Sequence, residues 1–191
     1  MSLKSDLKFV QRLERLLPGK QTEASWLDGL VVRPVTEEDL PRMEWEGEYK
    51  HFRRVYADAF RRMQRGASML WVAEFPEFGL VGQVFIQFVC DRLELADGIE
   101  RAYLYSFRVR PQFRGRGIGT RTMDVVEEDL RQRGFKFVTL NVARDNPRAQ
   151  QLYVRRGYIV VAPEPGIWSY PDEKGVWHRV EEPAWRMEKV L

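Results

Sequence analysis

The sequence predicts a mixed α/β domain with one central sheet and helices on its flanks. Two patterns carry this. Apolar runs of strand length crowd the first half of the chain, and helical periods alternate with strand-length runs in the second. Composition agrees: hydrophobic residues make up 44% of the 191 residues and charged residues 31%, the balance of a chain that can bury a substantial core.

The elements follow in order. Leu7, Val10, Leu13 and Leu17 recur at helical spacing, and Pro18-Gly19 stops the run. Residues 21–29 have no clear period and read as a connector, and residues 30–33 read as a short strand. Thr36 then stands as a cap before Glu37, Glu38 and Asp39, acids suited to a first helical turn. Tyr49, Phe52, Tyr56, Phe60 and Met63 fall on one face of a longer helix and are expected to pack into the core. Its other face, with Arg53, Arg54, Arg61, Arg62 and Arg65, is expected to be solvated. Residues 69–75 and 80–89 are strand-length runs joined through Pro76-Glu77-Phe78-Gly79, a hairpin signal. Residues 102–109 form another strand, closed by Pro111.

Residues 120–133 are helical, with Met123, Val126 and Leu130 on one side and Gly134 as the stop. Residues 135–142 read as a strand. Asn146 caps a helix that begins with Pro147 and ends at Gly157. A strand starts at Tyr158, and residues 185–190 form the last one. Between them, residues 172–175 read as a turn joining two extended arms, in a segment rich in aromatic and acidic residues. All of this is read as one domain: residues 1–29 a helix and connector, 30–161 the core, 162–191 a hairpin-like segment and final strand.

Several function classes are disfavoured. With 31 basic and 28 acidic side chains, the net charge of +3 is too small to argue for nucleic acid. No stretch has the length to span a bilayer and residues 1–10 lack a signal-peptide pattern, so a cytoplasmic location is expected. Cys90 cannot form an intrachain disulfide and is expected to be a small core residue. It and two separated histidines do not make a zinc site, and no metal is expected.

The chemistry is concentrated in Arg114-Gly115-Arg116-Gly117-Ile118-Gly119, between a strand and a helix. Alternate glycines let the backbone turn tightly and approach a ligand. The following helix start presents unpaired N–H groups and a positive dipole end. Two arginines add charged donors. Together these describe a site for phosphate or pyrophosphate. A Walker loop would need Gly-Lys followed by Ser or Thr, and a dinucleotide fingerprint would need glycine where the chain has Thr120.

The pattern Arg-x-x-Gly-x-Gly from Arg114 to Gly119, after Val109-Arg110-Pro111, resembles the acetyl-CoA signature of the GNAT superfamily of N-acetyltransferases. Downstream, residues 146–153 (Asn-Pro-Arg-Ala-Gln-Gln-Leu-Tyr) and then Gly157-Tyr158 resemble the family's second signature. The resemblance covers roughly residues 30–161. It implies a mostly antiparallel mixed sheet of about six to seven strands, splayed at the CoA site. It implies acetyl transfer from acetyl-CoA, the co-substrate, to a small-molecule or peptide amine. Backbone groups of Phe107, Arg108 and Val109 would pair with the pantetheine arm. N–H groups from Arg114 through Gly115, Arg116, Gly117, Ile118 and Gly119 to Thr120 would hold the pyrophosphate. Asn146 would cap its helix and contact the pantetheine, and Tyr153 would donate a proton to the departing sulfur. Where some relatives carry a glutamate base, this chain has Tyr103. That leaves Glu94, Glu100, Asp172, Glu173, His178, Glu181 and Glu182, or no dedicated base. Two other readings stand beside the enzyme: a non-catalytic acyl-CoA sensor, and an interaction role for the arginine face. Family members are often dimers, which leaves a homodimer open.

Overall fold

A computed structural model describes residues 26–191 of the chain. The expected helix over residues 7–17 lies outside that range. Strands β1 (Val31–Pro34), β2 (Ser68–Phe75), β3 (Gly79–Gln87), β4 (Arg101–Val109), β5 (Phe137–Ala143), β6 (Ile159–Glu164) and β9 (Ala184–Val190) form one sheet, and β7 (Ile167–Pro171) and β8 (Trp177–Glu181) form a separate hairpin. The sheet order is β1-β2-β3-β4-β5-β9-β6. The β4–β5 pair is parallel, and the other neighbours run antiparallel. The last strand in sequence therefore inserts between β5 and β6.

Among the described residues, three helices cover the sheet: α1 (Arg53–Gln64), α2 (Ile118–Gln132) and α3 (Pro147–Arg155). On one face, Met123, Val126 and Leu130 of α2 and Tyr153 of α3 bury against Ala102, Leu104, Val138, Leu140 and Met187. Each large apolar side chain buried this way stabilises by roughly 1.5–3 kcal/mol. On the other face, Tyr56 and Ala59 of α1 pack on Leu70, Val72 and Phe85, with Tyr49, Phe52, Phe60 and Met63 half-buried beside them. The aromatic stripe is thus largely core, and Arg53, Arg54, Arg61, Arg62 and Arg65 are exposed.

Three local expectations change. Thr36 opens a short 3-10 turn, Glu37–Asp39, instead of an α-helix, and Pro41 heads a second one, Arg42–Glu44. The Asp39 carboxylate is the reason the turn closes. It accepts from the Thr36 N–H at 2.9 Å and Oγ1 at 3.1 Å, and from Arg33 and Arg42. The long helix after Tyr49 begins as a 3-10 turn, Lys50–Phe52, before α1 proper. Cys90 falls just past β3, half-buried, its Sγ donating to the Arg92 carbonyl.

A buried ionic cluster ties α2, α3 and β9 together. Glu127 is only 2% exposed and receives Arg156 through both carboxylate oxygens, at 3.1 and 2.9 Å. Lys189 Nζ lies 2.5 Å away and the Tyr158 hydroxyl 3.3 Å. Burial acts to raise the Glu127 carboxyl, but Arg156 and Lys189 outweigh it and hold it below its ordinary value.

Candidate active site

The site is a gap in the sheet. Strands β4 and β5 pair from Arg101–Phe137 to Leu104–Leu140 and then part. Beyond Leu104, β4 runs on to Val109 against β3, while β5 runs on to Ala143 against β9. Parallel strands that diverge leave backbone groups unpaired along the opening.

A bulge in β4 sets which side chains face where. Tyr105 pairs with Phe85 and Arg108 with Gln83, so β4 carries one extra residue between them. Ser106 adopts φ 50° there. The extra residue resets the alternation, so Tyr105 and Arg108 both face α1 while Phe107 packs toward α2 and α3. The Arg110 N–H donates to the Val81 carbonyl at 2.8 Å. By antiparallel alternation Arg108 also turns its backbone groups to β3, and Val109 turns its own to the gap. The Val109 carbonyl accepts from Arg114 Nε at 2.8 Å.

The loop after β4 closes one end of the gap. Gly115 and Gly117 stand at φ 77° and 82°, conformations a side chain strongly disfavours. Gly117 is also the N-cap of α2, with no side-chain cap, and Thr120 lies in the helix's first turn. The N–H groups of residues 118–120 therefore have no intrahelical partner. A Cβ on Gly119 would touch Phe107 Cζ and Leu152 Cδ2, each at 3.6 Å, so the first turn of α2 sits tight on β4 and α3. Trp26 braces the loop from outside: its Nε1 donates to the Arg116 carbonyl at 2.9 Å, and the Arg116 guanidinium lies 5.8 Å from its ring.

A third arginine belongs here that the sequence reading left aside. Arg148, in the first turn of α3, places Nη2 2.7 Å from where a Cβ on Gly115 would stand. Among the described residues, Arg114, Arg116 and Arg148 have no carboxylate partner. Asn146 caps α3, its Oδ1 accepting from the Ala149 N–H at 3.1 Å.

Tyr153 is 6% exposed and rises from α3 among the buried residues of the α2/α3 face. Its hydroxyl has no hydrogen-bond partner among the described residues. Burial, and after it the neighbouring Tyr103, push the Tyr153 phenol well above its ordinary pKa. Tyr103 belongs to the opposite face, stacked 5.8 Å from Tyr105, so the two phenols sense each other where the strands part. Burial pushes Tyr103 itself up to about 12, with Arg92 and the Asn141 amide acting the other way. Asn141, the first β5 residue past the last β4 pair, has a buried Oδ1 with no partner. It was legible only as a lone polar residue between Leu140 and Val142.

The remaining candidate bases are dispersed. Glu94 pairs with Arg92, Asp172 with His178 and Glu181 with Arg179. Glu100 pairs with Lys136, beside the start of β4. The Glu173 carbonyl, not its carboxylate, accepts from Arg54. Among the described residues no group of three or more His, Cys, Asp or Glu is placed to hold a metal. No helix there is long and apolar enough to cross a membrane.

A family model described as the acetyltransferase (GNAT) family matches residues 32–158, more than half of the chain. The chain belongs to the GNAT family. Two solved structures share the fold. One is the ribosomal-protein-S18-alanine N-acetyltransferase from Escherichia coli, with TM-score 0.62 and 19% identity, covering 84% of this chain and 93% of that one. The other is Ard1 from Thermoplasma volcanium, with TM-score 0.64 and 18% identity, covering 85% and 98%. A curated relative, the mycothiol acetyltransferase of Propionibacterium freudenreichii, is 33% identical over 70 residues. That match takes in 37% of this chain and 22% of the relative.

Proposed function

We propose that this GNAT chain transfers the acetyl group of acetyl-CoA to a primary amine by direct attack. The observation that carries the reading is the meeting of three features at one gap: diverging strands, a left-handed glycine loop at a helix start, and a buried tyrosine whose hydroxyl has no partner among the described residues. The residues present fit acetyl-CoA. The open N–H groups of the loop and helix start, with Arg114, Arg116 and Arg148 around them, suit its pyrophosphate. The unpaired Asn141 oxygen and the gap side of Val109 suit the amides of its pantetheine arm.

Acetyl-CoA supplies an activated thioester. The amine nitrogen bonds to the acetyl carbon, giving a tetrahedral intermediate whose negative oxygen is met by N–H groups on the gap side of β4. The carbon–sulfur bond then breaks and the pair leaves on sulfur. Tyr153 keeps its proton at neutral pH because burial disfavours the phenolate, so it is poised to hydrogen-bond to and protonate the thiolate. The proton lost by the amine passes to water.

Following free-thiol release with acetyl-CoA and an amine panel tests this. Tyr153→Phe is expected to keep CoA binding and lower turnover by roughly a hundredfold or more. Undiminished turnover in that variant would remove Tyr153 from the chemistry. Acetyl-CoA binding with no thiol release for any amine would favour a sensor.

A further inference from the structure

We infer that the acceptor amine also carries a carboxylate, and that Arg108 receives it. This deepens the acetyltransferase reading and rests on it for the location of the reacting carbon. Arg108 is half-buried on β4, three residues past Tyr105 and beside the gap. Its guanidinium carbon lies 4.6 Å from the centre of the Tyr49 ring and 4.7 Å from that of Phe52. Those two rings are near parallel, 13° apart in plane. Nη1 donates to the Tyr56 hydroxyl at 3.0 Å. Three aromatic side chains therefore hold the group in one orientation, and four of its five N–H donors are left without a partner among the described residues.

The contrast with other half-buried arginines points to a missing anion. Arg33, Arg101, Arg110, Arg156 and Arg186 each meet a carboxylate of this chain, and Arg116, which meets none among the described residues, stands in the phosphate loop. Arg108 meets none among the described residues. A guanidinium partly removed from water and left without a counter-ion is costly, and a ligand carboxylate in bidentate contact removes that cost.

A second observation is independent of the arginine. Gln83, the direct cross-strand partner of Arg108, is 1% exposed, and its amide reaches no partner at full hydrogen-bond geometry, although it lies close enough to the Tyr56 hydroxyl to act on it. A buried amide this poorly satisfied is uncommon. Arg108 bonds the Tyr56 hydroxyl and pairs across the strands with Gln83, so the three polar groups are neighbours on the α1 side of the sheet. The Gln83 N–H and the free Arg108 N–H groups are donors of the kind a carboxylate accepts.

The position suits an amine with a carboxylate a few bonds away. Across the bulge, Tyr105 to Arg108 matches two residues of β3 and so spans about 7 Å, and a carboxylate on Arg108 leaves its amine to reach back along the gap. Across from it, the β7–β8 hairpin closes over α1. The Tyr170 ring lies 4.7 Å from Phe52 and Trp168 6.3 Å. The acceptor would then sit in a cleft with a cationic floor and an aromatic wall, where a polycation is repelled and a zwitterionic amino acid is held.

The test compares matched pairs differing only in the carboxylate: phenylalanine with phenethylamine, tyrosine with tyramine, lysine with cadaverine. Binding to the CoA-loaded protein is read by calorimetry and turnover by thiol release. Carboxylated partners are expected to bind at least tenfold more tightly. Arg108→Lys, which keeps charge and fold but loses the planar fork, is expected to raise their KM at least tenfold with the KM for acetyl-CoA unchanged. Gln83→Leu is expected to act in the same direction. Equal or tighter binding of the amines, binding of neither member of any pair, or an unchanged preference in Arg108→Lys would overturn the inference. Arg108-dependent binding of amino acids without thiol release would uphold it while refuting transfer, so the two readings fail separately.

Discussion

Replacing Gly117 with valine should destroy CoA binding while leaving the protein folded. The residue stands at φ 82°, ψ −11°, where an L side chain costs roughly 1–2 kcal/mol and a β-branched one more. A Cβ there would also stand 2.9 Å from Leu27 Cδ1, the flexible end of a side chain that can give way. The whole penalty stays near ~1–3 kcal/mol, below a typical domain stability of about 5–15 kcal/mol. The chain relieves the strain by rotating this peptide, which turns the N–H groups at the start of α2 away from a common point. Losing two charge-assisted hydrogen bonds of about 1.5–3 kcal/mol each removes about 3–6 kcal/mol, or roughly a hundredfold to ten-thousandfold in affinity. Titration calorimetry with CoA reads the loss, and circular dichroism with thermal melting confirms the fold. Affinity within about threefold of the parent in a folded variant would show that the loop does not hold the pyrophosphate.

Two further expectations concern the frame around the site. Glu127→Ala leaves Arg156 and Lys189 buried without their anion. It should cost about 3–5 kcal/mol in urea unfolding, and a loss under about 1 kcal/mol would mean that the cluster is as weak as a surface pair. Asp39 supplies an acid dependence. Burial acts to raise its carboxyl, but Arg33 and Thr36 outweigh this and hold it down at about 2. A depressed folded pKa stabilises above the unfolded value of about 3.9, and the contribution is lost as pH falls through about 2. The loss amounts to about 2 kcal/mol. Asp39→Asn should flatten that part of the stability–pH curve, and an unchanged curve would contradict the pairing.

The parts of this protein legible in its sequence are those set by neighbours along the chain. Asn146-Pro147 declares a helix start because capping and the fixed proline φ are local properties, and the structure has Asn146 Oδ1 on the Ala149 N–H. Residues 172–175 declare a turn for the same reason, and β7 and β8 pair across it. The gap itself was not legible from the residues, because it depends on where two parallel strands stop pairing, and only the family resemblance anticipated it. Glu127 lay hidden in the charged run Glu127-Glu128-Asp129, since two of its partners come from α3 and β9. Thr36 showed a helix start truthfully, but Pro41 and the arginines gathered on Asp39 made it a single turn.

Arg108 shows most clearly why position along a strand does not settle position in space. Simple alternation puts it on the face opposite Tyr103 and Tyr105, toward α2 and α3, the apolar side on which Phe107 packs. The one-residue bulge with Ser106 in the left-handed region moves it to the α1 side. There the stripe of Tyr49, Phe52 and Tyr56 serves as its cradle as well as core. The same bulge fixes which β4 backbone groups look into the gap, so one irregular residue bears on both halves of the reaction. The donor half is recognised by backbone: glycines, a helix start and strand edges, all of which leave a sequence signature because they demand particular residues. The acceptor half is recognised by side chains from β3, β4, the segment before α1 and the β7–β8 hairpin. Nothing local ties those side chains together, which is why the family was readable long before the substrate.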